Sequence, residues 1–397
     1  MRTIGDNWMA TDENTHVKRR HVLGAVAAVA TGTGVAAVLG ADKKRPQAAA
    51  SSSNGIVAPA ISRGLKQLRM ATTWPKDFPG LGQLPNRFAR DLLEMSDGQI
   101  EVKVYAAGEL VGALECFDAT SSGAADMYHG AEYYWQGKSK AFSFFTAVPM
   151  GMTSAEIMAW VEHGNGQALW DELSAEFNIK AFQAGNTGHQ TGGWFKREIN
   201  SLEDFKGLKM RMPGLGGEVI RRLGGAAVIL SGGEIYQALQ SGSIDATEWV
   251  GPWNDYAFGF YREAPYYYAP GFHEPGSAIS IGINLDVWND FTQSQQTMVK
   301  TACAKGNSDS VGEYYRENAR ALNILKNDLG IAPRFFTPEI MTSIGRISDD
   351  VVNELGNSDA RTQKVYESYI KAREEIRGWT EMSDGRYIQD RKNALEL

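Results

Sequence analysis

The blocks that decide the fold class lie between residues 206 and 241. They are Lys206-Gly207-Leu208-Lys209-Met210-Arg211-Met212-Pro213, Gly214-Leu215-Gly216-Gly217 and Ala227-Val228-Ile229-Leu230. The first reads as a short strand closed by proline. The glycines read as a tight, close-approach turn at a helix start, and the third block as the next strand. A helix from Gly233 to Ser241 follows. Strands alternating with helices over so short a span predict an α/β fold, with helices flanking the sheets.

The same alternation extends outward. Gln67 to Thr72 begins strand-like and runs into Trp74-Pro75, and Asn86, just after Pro85, suits the N-cap of a helix carrying Phe88, Leu92 and Met95. Ile100 to Tyr105 alternates strictly and predicts a half-buried strand. Phe142 to Val148 reads as a buried strand ending at Pro149, and Glu156 to Phe177 as a mostly helical stretch weakened by Gly164 and Gly166. Downstream, Ala278 to Ile283 reads as a strand and Ser294 to Leu325 as one long helix or two nearly continuous ones. From Ile347, helices joined by Gly356-Asn357-Ser358-Asp359 carry an apolar side that includes Val351, Val365 and Tyr369. The whole chain has 397 residues, which fits about two lobes, with ligands favoured in the cleft between them.

Composition removes several classes of function. The formal net charge is −7, which argues against a nucleic-acid binder that needs a basic face. Two cysteines make neither a disulfide scaffold nor a four-cysteine zinc site. No Gly-x-Ser-x-Gly elbow, His-Glu-x-x-His pair or Walker loop is present. The charge is uneven: residues 1–50 carry an excess of positive charge, and Lys18-Arg19-Arg20 precede an uncharged, Ala- and Gly-rich run from His21 to Ala41. A basic start, a weakly apolar middle and small residues near Ala48-Ala49-Ala50 predict an export signal. Arg19-Arg20 followed by Val22-Leu23 resembles the twin-arginine type. Residues 1–50 are therefore read as signal peptide and tether.

Certain polar residues sit where the chain should bury apolar ones. Gly185 to Trp194 packs polar groups among glycines, Arg211 ends an otherwise apolar strand, Glu248 precedes Trp249, and Glu274 lies on a turn after Phe272-His273. A lone buried charge costs several kcal/mol, roughly, unless paired. Two readings follow. Arg211 could pair with Glu248 or Glu274 as a purely structural ion pair. Alternatively, Arg211 offers a planar fork to a carboxylate, while two glutamates, an amide and a backbone carbonyl offer hard oxygen donors suited to Na⁺ or Ca²⁺ rather than zinc.

From Trp74 onward the chain resembles the solute-binding proteins of tripartite ATP-independent periplasmic (TRAP) transporters, most closely the subgroup that binds 2-oxo or 2-hydroxy acids with a metal ion. The likeness rests on Ala71-Thr72-Thr73-Trp74-Pro75, Ala106 to Val111, Glu132 to Lys138, Gly185 to Trp194, Leu208 to Arg211, Asp245 to Pro252 and Ala264 to Tyr268. It implies a two-lobed periplasmic binding protein fold with a cleft between lobes and a long connecting helix. The expected division is 66–188 plus 277–316 for lobe I and 189–276 plus 317–397, with the C-terminal helices, for lobe II.

The resemblance implies capture without covalent chemistry, followed by delivery to an ion-gradient-driven membrane permease. Arg211 would hold the solute carboxylate and Gln190 would place its amide at the solute. Glu248, the Trp249 carbonyl and Glu274 would ligate Na⁺ or Ca²⁺. The Trp249 ring would wall the pocket, with Trp74 and Tyr134 facing it from the other lobe. His189 and His273 are read as neighbours rather than ligands. Two glutamates and a solute carboxylate leave two uncompensated negative charges after Arg211, which a captured cation would relieve. The chain would work in the periplasm, with a homodimer through its C-terminal helices as a further implication. A ligand-presenting sensor of the same fold and a metal-dependent enzyme are the alternative readings. Cys116 and Cys303 are expected to be two separate buried thiols, because twin-arginine cargo folds before export.

Overall fold

A computed structural model describes residues 65–395; the expected signal and tether at 1–50 lie outside the described residues. The strands are β1 (Lys66–Thr72), β2 (Ile100–Tyr105), β3 (Met127–Gly130), β4 (Ile179–Asn186), β5 (Gly193–Phe195) and β6 (Lys209–Arg211). They continue with β7 (Ala226–Val228), β8 (Ala246–Thr247), β9 (Tyr266–Ala269), β10 (Ala278–Asn284) and β11 (Arg334–Phe335). They form two sheets, in the orders β2-β1-β3-β10-β4 and β11-β9-β5-β8-β6-β7. In the first, β1 runs parallel to β2 and β3, and β10 runs antiparallel between β3 and β4. Helices flank both sheets, as the alternation predicts. Among the described residues no helix is long and apolar enough to cross a membrane.

The chain passes from the first sheet to the second between Asn186 and Gly193, and returns between Ala269 and Ala278. These crossings run side by side: the Gln190 N–H donates to the Glu274 carbonyl at 3.0 Å and the Thr187 N–H to that of Ser277 at 3.0 Å. A third connection is the helix Gln293–Asn323, capped by Thr292 and Gln295. Its buried residues, Val299, Ala302, Cys303, Asn307, Ser310, Tyr314 and Ala321, recur at helical spacing and make one stripe on a largely polar rod. Cys303 and Val299 pack in the core of the first sheet with Leu92 and Phe182. Further along, the Tyr314 hydroxyl donates to Asn254 on the helix Pro252–Phe258 at 2.9 Å. The rod therefore spans both halves of the molecule.

The structure departs from the sequence reading in four places. The helix expected to begin at Asn86 spans Leu84–Met95, and the Asn86 amide donates back to the Gly82 carbonyl at 3.0 Å. Phe142 to Val148 is no strand: Lys140–Phe145 is a 3₁₀ helix with Phe142, Phe144 and Phe145 all buried. A short run buried on every side carries no periodicity to separate strand from helix. Glu156 to Phe177 divides into Ser154–His163 and Gly166–Ala175, broken at the two glycines that weakened it. Finally, residues 317–397 do not all join the second sheet's half. Pro338–Gly356 packs on Gly214–Arg222 there. Ala360–Thr380 instead packs on the first sheet's helices, where Tyr369 meets Phe144 and Trp160 at ring distances of 5.2 Å and its hydroxyl oxygen accepts the Met152 N–H at 2.8 Å. Both cysteines are free and buried, as expected.

Burial raises two carboxyls outside the polar cluster, Glu132 and Asp255, above the usual carboxylate range. Burial pushes Glu132 up from 4.5 to about 7, against the opposing hydrogen bonds from Tyr128 and Ser280. Burial likewise raises Asp255 from 3.8 to about 7, although the Trp194 indole and the Val250 and Gly251 amides donate to it. Between the unfolded and folded pKa values the folded chain holds more protons, so stability falls as pH rises from about 5 to about 7. For Glu132 this amounts to roughly 3 kcal/mol. Glu132→Gln keeps the oxygen that accepts from Tyr128 and Ser280, so it is expected to remove about a third of the stability lost between pH 5 and pH 8, with Asp255 and Glu274 carrying the rest. Urea unfolding at the two pH values checks this; an unchanged loss would contradict it.

Candidate functional site

The polar residues singled out from sequence converge at the crossings. Arg211 ends β6 and Glu248 directly follows β8, its parallel neighbour. Strand pairing therefore sets the two side by side, and the Glu248 N–H donates to the Arg211 carbonyl at 3.3 Å. Gln190 and Glu274 come from the two crossings. Arg211, Glu248, Glu274 and Gln190 are all at most 3% exposed.

The Arg211 guanidinium is largely committed within the protein. Nη1 donates to a Glu248 carboxylate oxygen and to the Glu248 carbonyl, and Nε donates to the Leu230 carbonyl at 3.2 Å. Nη2 is buried and has no partner. The ion pair considered from sequence is thus formed with Glu248, and the guanidinium offers a ligand one nitrogen rather than a two-pronged fork. Burial works against its charge most strongly, but Glu248, the Tyr134 and Tyr133 phenols and Glu274 together outweigh it and raise its pKa.

His273 completes the cluster. Its Nε2 lies 3.1 Å from the second Glu248 oxygen. Burial opposes the imidazolium most strongly, yet the bond to Glu248 together with the charges of Glu248 and Glu274 raises the His273 pKa. The approach of the His273 side chain requires Gly216, because a Cβ there would sit 2.7 Å from the His273 Cβ. That close contact gives the glycine run of the opening stretch its physical purpose. Sequence reasoning set His273 aside as a neighbour; ligand atoms of Glu248, His273 and Glu274 all lie within 4.8 Å of one another.

Glu274 accepts 2.7 Å from Gln190 Nε2, which also donates to Thr187 at 3.0 Å. Gln190 Oε1 is left without a partner. Burial first, and then the Glu248 charge, raises the Glu274 pKa above the usual carboxylate range. The Trp249 carbonyl receives no hydrogen bond from the described residues. Two neighbouring buried carboxylates, a free carbonyl and a free amide oxygen fit a hard cation, whose charge would remove the repulsion between the glutamates.

Aromatic rings close the site. The Arg211 guanidinium stands 5.0 Å over the Trp249 ring. Trp74, from the end of β1, meets Trp249 edge-on at 6.2 Å and Tyr134 at 6.4 Å. The Tyr134 phenol is raised by burial, with the nearby Arg211 charge opposing. All seven residues named from sequence therefore fall in one place. Missed were Phe78 and Phe258, which stack on each other at 4.3 Å and both pack edge-on against Trp249. Their rings lie far apart in sequence among many others, with no local signal to mark them.

A family model described as bacterial extracellular solute-binding protein, family 7 (DctP) matches residues 70–359. The chain belongs to this family. Among its relatives, a monocarboxylate 2-oxoacid-binding periplasmic protein of Nostoc is 40% identical over 334 residues, covering 83% of this chain and 90% of the relative. The fold also matches solved TRAP periplasmic solute-binding proteins. One, from Pseudoalteromonas atlantica with bound sodium and pyruvate, has 36% identity and a TM-score of 0.79, covering 82% of this chain and 99% of its own. Another, from Colwellia psychrerythraea with bound calcium and pyruvate, has 37% identity and a TM-score of 0.80, with the same coverage. The family 7 chain described here is accordingly a solute-binding protein of a TRAP transporter, with the two-lobed architecture expected from its sequence.

Proposed function

We propose that the chain captures a short 2-oxo or 2-hydroxy acid together with Na⁺ or Ca²⁺ in the periplasm and delivers it to a TRAP membrane permease. The observation that carries this reading is the buried cluster in which Arg211 Nη2 and Gln190 Oε1 remain unpaired beside two glutamates. Sodium or calcium with pyruvate in the Pseudoalteromonas and Colwellia proteins supports it, as does the name of the Nostoc relative.

In this reading Nη2 of Arg211 binds the solute carboxylate. Glu248, the Trp249 carbonyl and Glu274 hold the cation. With its Nε2 committed, Gln190 turns Oε1 to the cation or to a solute hydroxyl. Trp249, Trp74 and Tyr134 wall the short apolar tail. The cation supplies positive charge that draws in the solute's carboxylate and keto or hydroxyl oxygens. A melting-temperature screen in calcium tests the reading, since a ligand that binds only the folded chain raises stability in proportion to the logarithm of its concentration. Pyruvate and longer 2-oxo acids should raise the melting temperature; a shift with sugars alone would overturn the reading.

The lobe division at 66–188 plus 277–316, the twin-arginine export route and a homodimer belong to the same proposal. The helices after residue 378 leave Trp379, Met382, Tyr387, Ile388 and Leu395 more than half exposed, which suits burial against a second copy. Light scattering should give twice the chain mass, and removal of residues 379–397 should halve it. A full-length monomer would contradict the dimer.

A further inference from the structure

The Trp74 indole is held from behind. Its Nε1–H donates to Nδ1 of His129 at 2.7 Å. His129 is fully buried on β3, opposite Thr72 of β1. The register of these two parallel strands therefore delivers the imidazole to Trp74, two residues beyond the end of β1. A ring nitrogen that accepts carries no proton, so the proton sits on Nε2. Nε2 is buried and has no partner among the described residues.

That arrangement is unfavourable for the histidine alone, because a buried N–H is left unsatisfied. It keeps Nδ1 available to Trp74. Burial, and secondarily the Arg87 charge, lowers the His129 pKa to about 3, so the ring stays a neutral acceptor. Beyond Trp74 the contacts run to Trp249 and on to Arg211. One acceptor atom in the first sheet thus supports the ring that faces the anion-binding residue of the second.

We infer that His129 is a positioning residue for the solute site: its Nδ1 fixes the Trp74 indole, and through it the wall that the first sheet presents to the solute. This rests on the reading of Trp74 as a wall of that site. The chemistry asks only for a neutral acceptor at the Nδ1 position, and His129→Asn can place a side-chain oxygen there. His129→Phe keeps a ring of similar size and removes the acceptor.

The test has two parts, both in the full exported chain. Long-range ¹⁵N–¹H spectra of the unmodified protein report the tautomer directly. Protonation of His129 on Nε2 alone at pH 7 is expected, and a proton on Nδ1 would overturn the inference. Calorimetric titration with pyruvate at saturating calcium then compares variants. His129→Phe should weaken binding about tenfold, and His129→Asn should stay within about threefold of the unmodified protein. In a Trp74→Phe background, His129→Phe should add no further loss. Equal weakening by Phe and Asn, or the same loss with and without Trp74, would overturn the inference while leaving the site intact. Unchanged pyruvate binding in Trp74→Phe alone would instead remove Trp74 from the site, and the inference with it. Should His129→Phe fail to fold, the tautomer and the Asn variant still decide.

Discussion

Arg211→Ala should abolish pyruvate binding, with affinity falling at least about a hundredfold even in saturating calcium. Arg211 is 1% exposed, and its guanidinium faces Glu248 directly, with the charge of Glu274 close by. Truncation removes the group proposed to meet the solute carboxylate and leaves Glu248 without its cationic partner. The solute then enters a site whose residual charge repels it. Stability should also suffer by about 3–5 kcal/mol, the usual cost of breaking a buried ion pair from one side. Arg211→Lys separates the two effects. A lysine restores the positive charge but cannot donate simultaneously to Leu230, Glu248 and a ligand, as the guanidinium can. It should recover most of the stability and only part of the affinity. Titration calorimetry and melting curves on both variants check this. Near-normal pyruvate affinity in Arg211→Ala would exclude Arg211 from the solute contact.

Glu274→Gln should change the cation requirement rather than remove binding outright. The side-chain amide retains an oxygen for Gln190 Nε2, which now bonds the Glu274 carboxylate at 2.7 Å. What disappears is one of the two negative charges facing the cation. Apparent calcium affinity should fall by roughly one to three orders of magnitude, since charge count dominates calcium sites. Pyruvate binding should return when calcium is raised. Without a cation, the variant should be no less stable than the native chain, because repulsion from Glu248 is gone. Glu248→Gln is the harsher change: it also removes the charge paired with Arg211 and one of the two oxygens that meet Arg211 and His273, so added calcium should restore its binding only partly. Calcium titrations monitored by tryptophan fluorescence, with and without pyruvate, measure both. A Glu274→Gln protein with unaltered calcium dependence would place the cation elsewhere.

What could be read from sequence divides along physical lines. Strands with a solvent face or clear flanking turns, such as Ile100–Tyr105, announced themselves by alternation. The Lys140–Phe145 segment did not, because full burial erases the pattern. Arg211, Glu248 and Glu274 stood out as charges at strand ends and turns, where an apolar or neutral residue was expected. Their convergence was expected from resemblance, and the pairing of β6 with β8 explains it. His129 carried no such signal: it sits in a buried strand as an ordinary core histidine would. Its bond to Trp74 spans 55 positions and exists only through the register of β1 with β3. The packing of Ala360–Thr380 on the first sheet's helices was also invisible, since an amphipathic helix shows that it packs and not on what. His273 was read as a neighbour of these residues rather than a ligand, and its bond to Glu248 sets it against the cluster.

In the proposed function, solute and cation bind as one unit at Arg211, Glu248 and Glu274. Titration of pyruvate into the exported chain tests it most directly, run once in calcium and once in sodium-free, chelator-treated choline buffer. One pyruvate per chain is expected in calcium, with heat and affinity lost in the cation-free buffer and restored by adding back either calcium or sodium. Pyruvate binding of equal strength in the cation-free buffer would contradict it.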